Sequence, residues 1–203
     1  MFDNLQKRNI IVTGANGLIG SSICRYFELH NFNFLAVARS ENRFCYRNFL
    51  STDLKLPGVL DSFLDNNTIV FHCASNTNVS DSISDPFFDL QTNFLLFFQV
   101  LESVRKFGAA LMLMSTGSVY DPKIVVPKNE ESDLFPVSPY AAGKLSAEYY
   151  CKVYVETFKL EIKIVRIFSI YGVGIDRFVI YDIVNKLAPK PAYLKIKGTG
   201  EEI

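Results

Sequence analysis

The sequence predicts an α/β protein built on a doubly wound parallel sheet. Three observations carry that expectation. Short, almost wholly apolar segments recur along the chain, segments with apolar residues at helical spacing separate them, and a glycine-spaced turn joins the first apolar segment to the first helical one. Strands covered on both faces of a parallel sheet read as continuous apolar runs, and their crossovers are helical. Because such crossovers are right-handed, a doubly wound sheet is the economical topology.

Taken in order, Ile10, Ile11 and Val12 form the first expected strand. Residues 18–31 follow as a helix, with Ile19, Ile23, Tyr26 and Phe27 at helical spacing. The second strand is 34–38 and a weaker third is 44–50. A short helix through Leu60, Phe63 and Leu64 precedes a fourth strand at 68–74. A long helix at 85–107 leads to the fifth strand, 110–115. The stretch 116–136 holds Pro122, Pro127 and Pro136 with mixed charge and sustains no period; a loop of that length inside a domain is usually functional or mobile. A second long helix, 137–158, opens after Ser138 as a cap and Pro139 in its first turn, and 161–167 is the sixth strand. No internal repeat or low-complexity segment interrupts this order.

Composition narrows the function classes. The 203 residues carry 21 basic and 21 acidic side chains, so the net charge is zero and nothing suggests the basic footprint of a nucleic-acid binder. Hydrophobic residues at 49% exclude a disordered chain. The longest apolar run, 109–114, is far short of the roughly 20 residues a membrane span needs, and no apolar stretch behind the N-terminal charges suggests a signal peptide. The 18 phenylalanines predict a Phe-rich core. Cys24, Cys45, Cys73 and Cys151 lie far apart with no CxxC, and read as reduced core residues of a cytoplasmic protein. With His30 and His72 the sole histidines, no metal site is expected.

Thr13-Gly14-Ala15-Asn16-Gly17-Leu18-Ile19-Gly20 joins the first strand to the first helix. Gly14 permits a tight turn, Gly17 lets the backbone approach a pyrophosphate, and Gly20 allows close helix packing. The helix N-terminus supplies free N–H groups and a positive dipole end. In this place the GxxGxxG pattern points to a dinucleotide in a Rossmann-type domain. The second strand ends Ala36-Val37-Ala38-Arg39-Ser40, without the acidic residue that commonly holds the ribose hydroxyls of NAD. Arg39 and Ser40 are placed to grip a 2′-phosphate, which favours NADP and leaves NAD open.

Tyr140 and Lys144, four residues apart on a helix, share a face. A neighbouring cation stabilises a phenolate, and such a tyrosine exchanges a proton with a substrate hydroxyl or carbonyl while hydride moves. Residues 193–197 repeat the YxxxK spacing in an expected short strand, where it reads as chance. Ser115 and Thr116 leave the fifth strand at its carboxyl end, the side of an open α/β sheet where ligands bind.

Together these features resemble the extended short-chain dehydrogenase/reductase family, in its nucleotide-sugar epimerase/dehydratase group. The resemblance runs from about residue 8 to at least residue 174. It takes in the glycine loop, Asp53-Leu54, His72 to Ser75, Asp85-Pro86 with Asn93 beyond, Ser115 to Tyr120, the Tyr140/Lys144 pair, and Arg166 to Gly172. It implies that the amides around Leu18 and Ile19 hold the pyrophosphate. Asp53 and Leu54 then border the adenine, while Ala74 and Asn93 line the other side of the cleft. Thr116 is the catalytic hydroxyl, Tyr140 the acid/base, and Lys144 the ribose ligand that tunes Tyr140. Where the 4,6-dehydratases carry an Asp-Glu pair, this chain has Gly117 and Ser118. Ser169 stands where an Asn often touches substrate, and Asp121 replaces the usual Gly.

The resemblance therefore implies an NAD(P)-dependent enzyme moving hydride between nicotinamide and a carbon of a nucleotide sugar, as epimerase or reductase rather than 4,6-dehydratase. It implies a cofactor domain at 1–174 and an incomplete C-terminal substrate lobe beginning at 175–203. A homodimer through helices 85–107 and 137–158 is also implied. The alternative is a catalytically weak NAD(P)-binding protein with a regulatory or assembly role. The intact Thr116, Tyr140 and Lys144 argue against that alternative, and the short lobe argues for it.

Overall fold

In the computed structural model, β1 (Asn9–Thr13), β2 (Phe34–Ala38), β3 (Phe49–Ser51), β4 (Thr68–His72), β5 (Ala110–Thr116) and β6 (Ile162–Ile167) pair in parallel, in the order β3-β2-β1-β4-β5-β6. The structure describes residues 5–124, 127–172, 178–189 and 193. The chain divides into two compact units, residues 1–168 and 169–203. The second contains α6 (Phe178–Leu187), in which Lys186 pairs with Asp182.

In the first unit, the chain winds outward from β1 to β3, then returns to lay β4 on the other side of β1. The two directions of winding meet between β1 and β4, the place where open α/β sheets bind ligands beyond their strand ends. Thr13 stands opposite His72 there. Inward positions alternate between two cores. Ile11, Val37, Val70, Leu111 and Leu113 face one layer, which α4 (Leu96–Phe107) and α5 (Pro139–Phe158) cover with Leu101, Val104 and Cys151. Val12, Ala36, Phe71, Met112 and Met114 face the other, with Cys24 and Phe27 of α1 (Leu18–Leu29). Every residue of β4 and β5 is buried, which is why those strands read as unbroken apolar runs.

The third strand is much shorter than the expected 44–50. Asn42 clamps a turn instead: its Nδ2 donates to the Tyr46 carbonyl at 2.8 Å and its Oδ1 accepts from the Tyr46 amide at 2.9 Å. Cys45, at φ 57°, is exposed in that turn rather than in the core. Cys24 and Cys151 are buried as expected, and Cys73 is half-buried. The Phe-rich core is also only partly present. Phe27, Phe71 and Phe97 are buried, whereas Phe87, Phe135 and Phe168 are more than half exposed. Ile, Val, Leu and Met fill most of the sheet's inward positions, and many phenylalanines go to helix surfaces and loops.

The first long helix is not continuous. After a short α2 (Val79–Ser84), α3 (Pro86–Asp89) starts on an Asp85 cap that accepts from the Phe88 amide at 2.9 Å. A π turn at Leu90–Leu95 then precedes α4. The wider turn carries buried Thr92 and Asn93, immediately after buried Asp89. α4 ends on Gly108 in the left-handed region. The second long helix begins as expected, with Ser138 Oγ accepting from the Ala141 amide at 3.2 Å and Pro139 in the first turn.

Candidate functional site

The glycine turn leaves β1 at its carboxyl end. Gly14 sits at φ +66°, and a Cβ there would lie 2.6 Å from the Ala74 amide nitrogen, so the turn packs directly on the loop after β4. At Gly20 a Cβ would lie 2.2 Å from the Gly14 carbonyl oxygen, which seats α1 against the turn itself. Gly17 is exposed and a Cβ there would approach only the Gly14 oxygen, at 3.3 Å. Its outer side is the open one. α1 has no side-chain cap, and Leu18 and Ile19 lie in its first turn, where amides lack intrahelical partners. An open turn against a helix N-terminus suits phosphate oxygens.

Asn16 ties this turn to the end of β2. Its Nδ2 donates to Ser40 Oγ at 2.9 Å and to the Glu41 carbonyl at 2.8 Å, while its Oδ1 is buried without a hydrogen-bond partner. An orphaned acceptor beside an open turn suits a ligand that brings a donor, such as a ribose hydroxyl. Arg39 is exposed next to it. Asp53 pairs with Lys55, its Oδ2 3.6 Å from Nζ, and Leu54 is buried. Asn16 was not singled out by sequence reasoning; a polar residue between the first two glycines was its one signal.

Across the switch point, Thr13 Oγ1 accepts from the Ala74 amide at 3.3 Å and lies 3.0 Å from His72 Nδ1. Burial pushes the His72 imidazole down to about 3, so it is neutral and shares one hydrogen bond with the Thr13 hydroxyl. Asn93 holds the next stretch of loop. Its Oδ1 accepts from Ser75 Oγ (2.9 Å) and the Asn76 amide (2.7 Å); its Nδ2 donates to the Asn76 carbonyl (3.0 Å) and to Asp89 Oδ1 (2.7 Å). With its amide so engaged, Asn93 shapes the cleft by fixing this loop.

Tyr140 and Lys144 are both buried on the inner face of α5, with Nζ 5.9 Å from the Tyr140 ring centroid. Lys144 Nζ donates to the Met114 carbonyl at 3.0 Å, which joins α5 to β5 two residues before Thr116. Burial pushes the Lys144 ammonium down to about 8. Thr116 Oγ1 accepts from the Ser118 amide at 3.2 Å and so caps the turn Gly117–Val119. The structure thus gathers the glycine turn, Ala74, Thr116 and the Tyr140/Lys144 pair on the carboxyl side of the sheet. Of the second YxxxK match, only Tyr193, which is exposed, lies within the described residues.

A family model for the NAD dependent epimerase/dehydratase family matches residues 10–203. The chain belongs to that family. The UDP-glucose 4-epimerase of Mycolicibacterium smegmatis is 30% identical over 177 residues, covering 80% of this chain and 56% of that one. A crystal structure of a UDP-galactose 4-epimerase aligns with TM-score 0.80 at 28% identity, over 90% of this chain and 63% of that chain. The UDP-glucose 4-epimerase of Thermus thermophilus, solved in complex with NAD, aligns with TM-score 0.68 at 27% identity, over 78% and 54%. The chain spans about half the length of the curated relatives it matches.

In this epimerase/dehydratase family member, a buried ion pair lies next to the candidate chemistry. Glu148, one helical turn beyond Lys144, is 1% exposed. It accepts from Ser115 Oγ at 2.5 Å and from Arg166 Nη2 at 2.7 Å, with Arg166 Nε at 3.1 Å from its other oxygen. Glu148 holds Arg166 well above the usual guanidinium range. Arg166 also reaches the Glu130 carbonyl at 3.3 Å and covers the Tyr120 ring, 4.7 Å from its centroid. Sequence reasoning missed Glu148. Its signal was the spacing: Tyr140, Lys144 and Glu148 recur every four residues and share one face.

Proposed function

We propose that this chain holds a nicotinamide dinucleotide along the carboxyl edge of its sheet and works on a nucleotide sugar, as an epimerase or reductase. The observation that carries this reading is the buried Tyr140/Lys144 pair, tied to β5 two residues before Thr116. The dinucleotide, when bound, supplies and accepts hydride at a sugar carbon. Tyr140 takes the proton of the hydroxyl being oxidised and returns one to the carbonyl being reduced. Lys144 stabilises the negative charge left on the phenol oxygen and binds the nicotinamide ribose. Thr116 orients the reacting oxygen. Gly14, Gly17 and Gly20 shape the turn, and the amides of Leu18 and Ile19 receive the pyrophosphate. Asp53 and Leu54 border the adenine, with Ala74 and the loop held by Asn93 opposite.

Relatives named for UDP-sugars support the nucleotide-sugar class, and residues from 175 onward would begin the substrate lobe. A 4,6-dehydratase is disfavoured by Gly117 and Ser118: an acid at 117 would bring a Cβ within 2.7 Å of the Phe168 ring. Calorimetric titration with NADH and NADPH, followed by turnover of a panel of nucleotide sugars, tests the reading. Binding of neither dinucleotide overturns it, and binding without turnover leaves a dinucleotide-holding protein in its place. The exposed Arg39 favours NADPH. Arg39→Ala is expected to weaken NADPH by about tenfold, the loss of one charge-assisted hydrogen bond, and to spare NADH. Equal losses for both would remove Arg39 from cofactor choice.

The outer sides of α3, the π turn and α5 support a homodimer. They enclose a groove of about 430 Å³ lined by Leu90, Phe94, Ala142, Ser146 and Tyr150, and Tyr149 and Val153 are more than half exposed nearby. A second copy presenting the same apolar helices covers both grooves at once. Sedimentation velocity is expected to give a dimer that Tyr150→Asp converts to monomer. A monomeric parent protein at tens of micromolar would refute the pairing.

A further inference from the structure

The loop after β2 reaches back to the glycine turn through Tyr46. That side chain is buried, with the rings of Phe34, Phe44 and Phe49 at 6.0, 5.8 and 6.5 Å between centroids. Its hydroxyl donates to the Ala15 carbonyl at 3.1 Å. The Ala15 amide donates in turn to the Val37 carbonyl of β2, also at 3.1 Å. Both backbone groups of the residue after Gly14 are therefore held from the β2 side. Asn16, the next residue, bonds Ser40 and Glu41 of the same loop. Burial keeps the Tyr46 phenol above its ordinary range, so the hydroxyl retains its proton and donates. The Cys24 thiol of α1 also interacts with this phenol.

Ring packing explains neither the hydroxyl nor the backbone that delivers it. A phenylalanine would fill the same space among the three rings. Cys45, just before Tyr46, stands at φ 57°, a left-handed conformation that strains a residue other than glycine. Such strain persists where neighbours over-determine it, and the two Asn42 bonds to the Tyr46 backbone do so. We propose that Tyr46 is a positioning residue for the dinucleotide: turned inward by the Asn42 clamp, its hydroxyl pins the Ala15 carbonyl and holds the glycine turn in its binding shape before the ligand arrives. Tyr46 acts through the turn and does not touch the ligand. A turn that holds its binding shape only part of the time binds correspondingly more weakly. The proposal rests on the reading of this turn as the diphosphate site.

The test is calorimetric titration with ADP, which carries only the adenosine and diphosphate portion, beside NADH and NADPH. Tyr46→Phe keeps the ring and removes the hydroxyl. It is expected to weaken ADP and the bound dinucleotide alike, by about tenfold, the worth of one hydrogen bond. Cys24→Ala, a buried truncation on α1, is expected to lower the melting temperature and leave both affinities unchanged, which separates positioning from stability. Unchanged affinities in Tyr46→Phe, a loss for the dinucleotide without one for ADP, or an equal loss in Cys24→Ala overturns the proposal and leaves the dinucleotide reading standing. A parent protein that binds none of the three ligands overturns both. If Tyr46→Phe does not fold, Asn42→Ala decides: it frees the Tyr46 backbone and is expected to weaken ADP and dinucleotide equally, and unchanged affinities refute the lock.

Discussion

Glu148→Ala is expected to destabilise the protein by about 3–5 kcal/mol, the usual cost of removing one partner from a buried ion pair. The carboxylate is 1% exposed and the Arg166 side chain 13%. Without Glu148, the guanidinium keeps, among the described residues, the Glu130 carbonyl and the face of Tyr120, and neither carries a compensating charge. Ser115 loses its acceptor as well. For a chain of this size the melting temperature should drop by roughly 10 °C. Glu148→Gln, which keeps the shape and one acceptor, should fall between parent and alanine variant. Replacing Glu148 and Arg166 together by methionine should recover part of the loss, because no charge is then left unpaired. Denaturant unfolding of the four proteins provides the check, and an alanine variant as stable as the parent would show that the pair contributes nothing.

The sheet was legible in the sequence because its physics is simple. β4 and β5 are buried on both faces, so every position is apolar or finds an internal partner, and the resulting runs cannot be mistaken for a solvated surface. The short-range signals at Ser138-Pro139 and Asp85-Pro86 also held, since a cap is a local bond between neighbours. Where the reading departs from the structure, a side chain has competed with the ladder. Asn42 satisfies both backbone groups of Tyr46, turning an apolar stretch away from β3. The π turn adds a residue to one helical turn without changing the composition, so periodicity passes over it.

The candidate site divides the same way. Gly14, Gly17, Gly20, Tyr140 and Lys144 were readable because backbone approach and helical spacing leave a one-dimensional trace. Glu148 and Asn16 act through partners 18 and 24 residues away, and a single chain does not display such pairings. Ser115 illustrates the limit. A serine at a strand end reads as a turn cap, yet its hydroxyl points to Glu148, whereas capping falls to its neighbour Thr116. The two hydroxyls look alike in sequence and do different work.

That difference makes Tyr140→Phe the sharper catalytic experiment. Thr116→Ala would remove a hydroxyl that also caps the turn Gly117–Val119, so any loss of turnover would mix chemistry with loop geometry. Tyr140→Phe removes one oxygen and keeps the ring beside Lys144, whose Nζ bond to the Met114 carbonyl does not depend on the phenol. If Tyr140 moves the proton that accompanies hydride, turnover should fall by about 10²–10⁴-fold, the usual contribution of a positioned acid/base. Dinucleotide affinity should be unchanged, because the glycine turn and the Lys144 ammonium are untouched. A fall in affinity equal to the fall in turnover would assign Tyr140 to binding alone. Turnover at the parent rate would remove it from the mechanism, and with it the main reason for reading the buried ammonium at Lys144 as catalytic rather than structural.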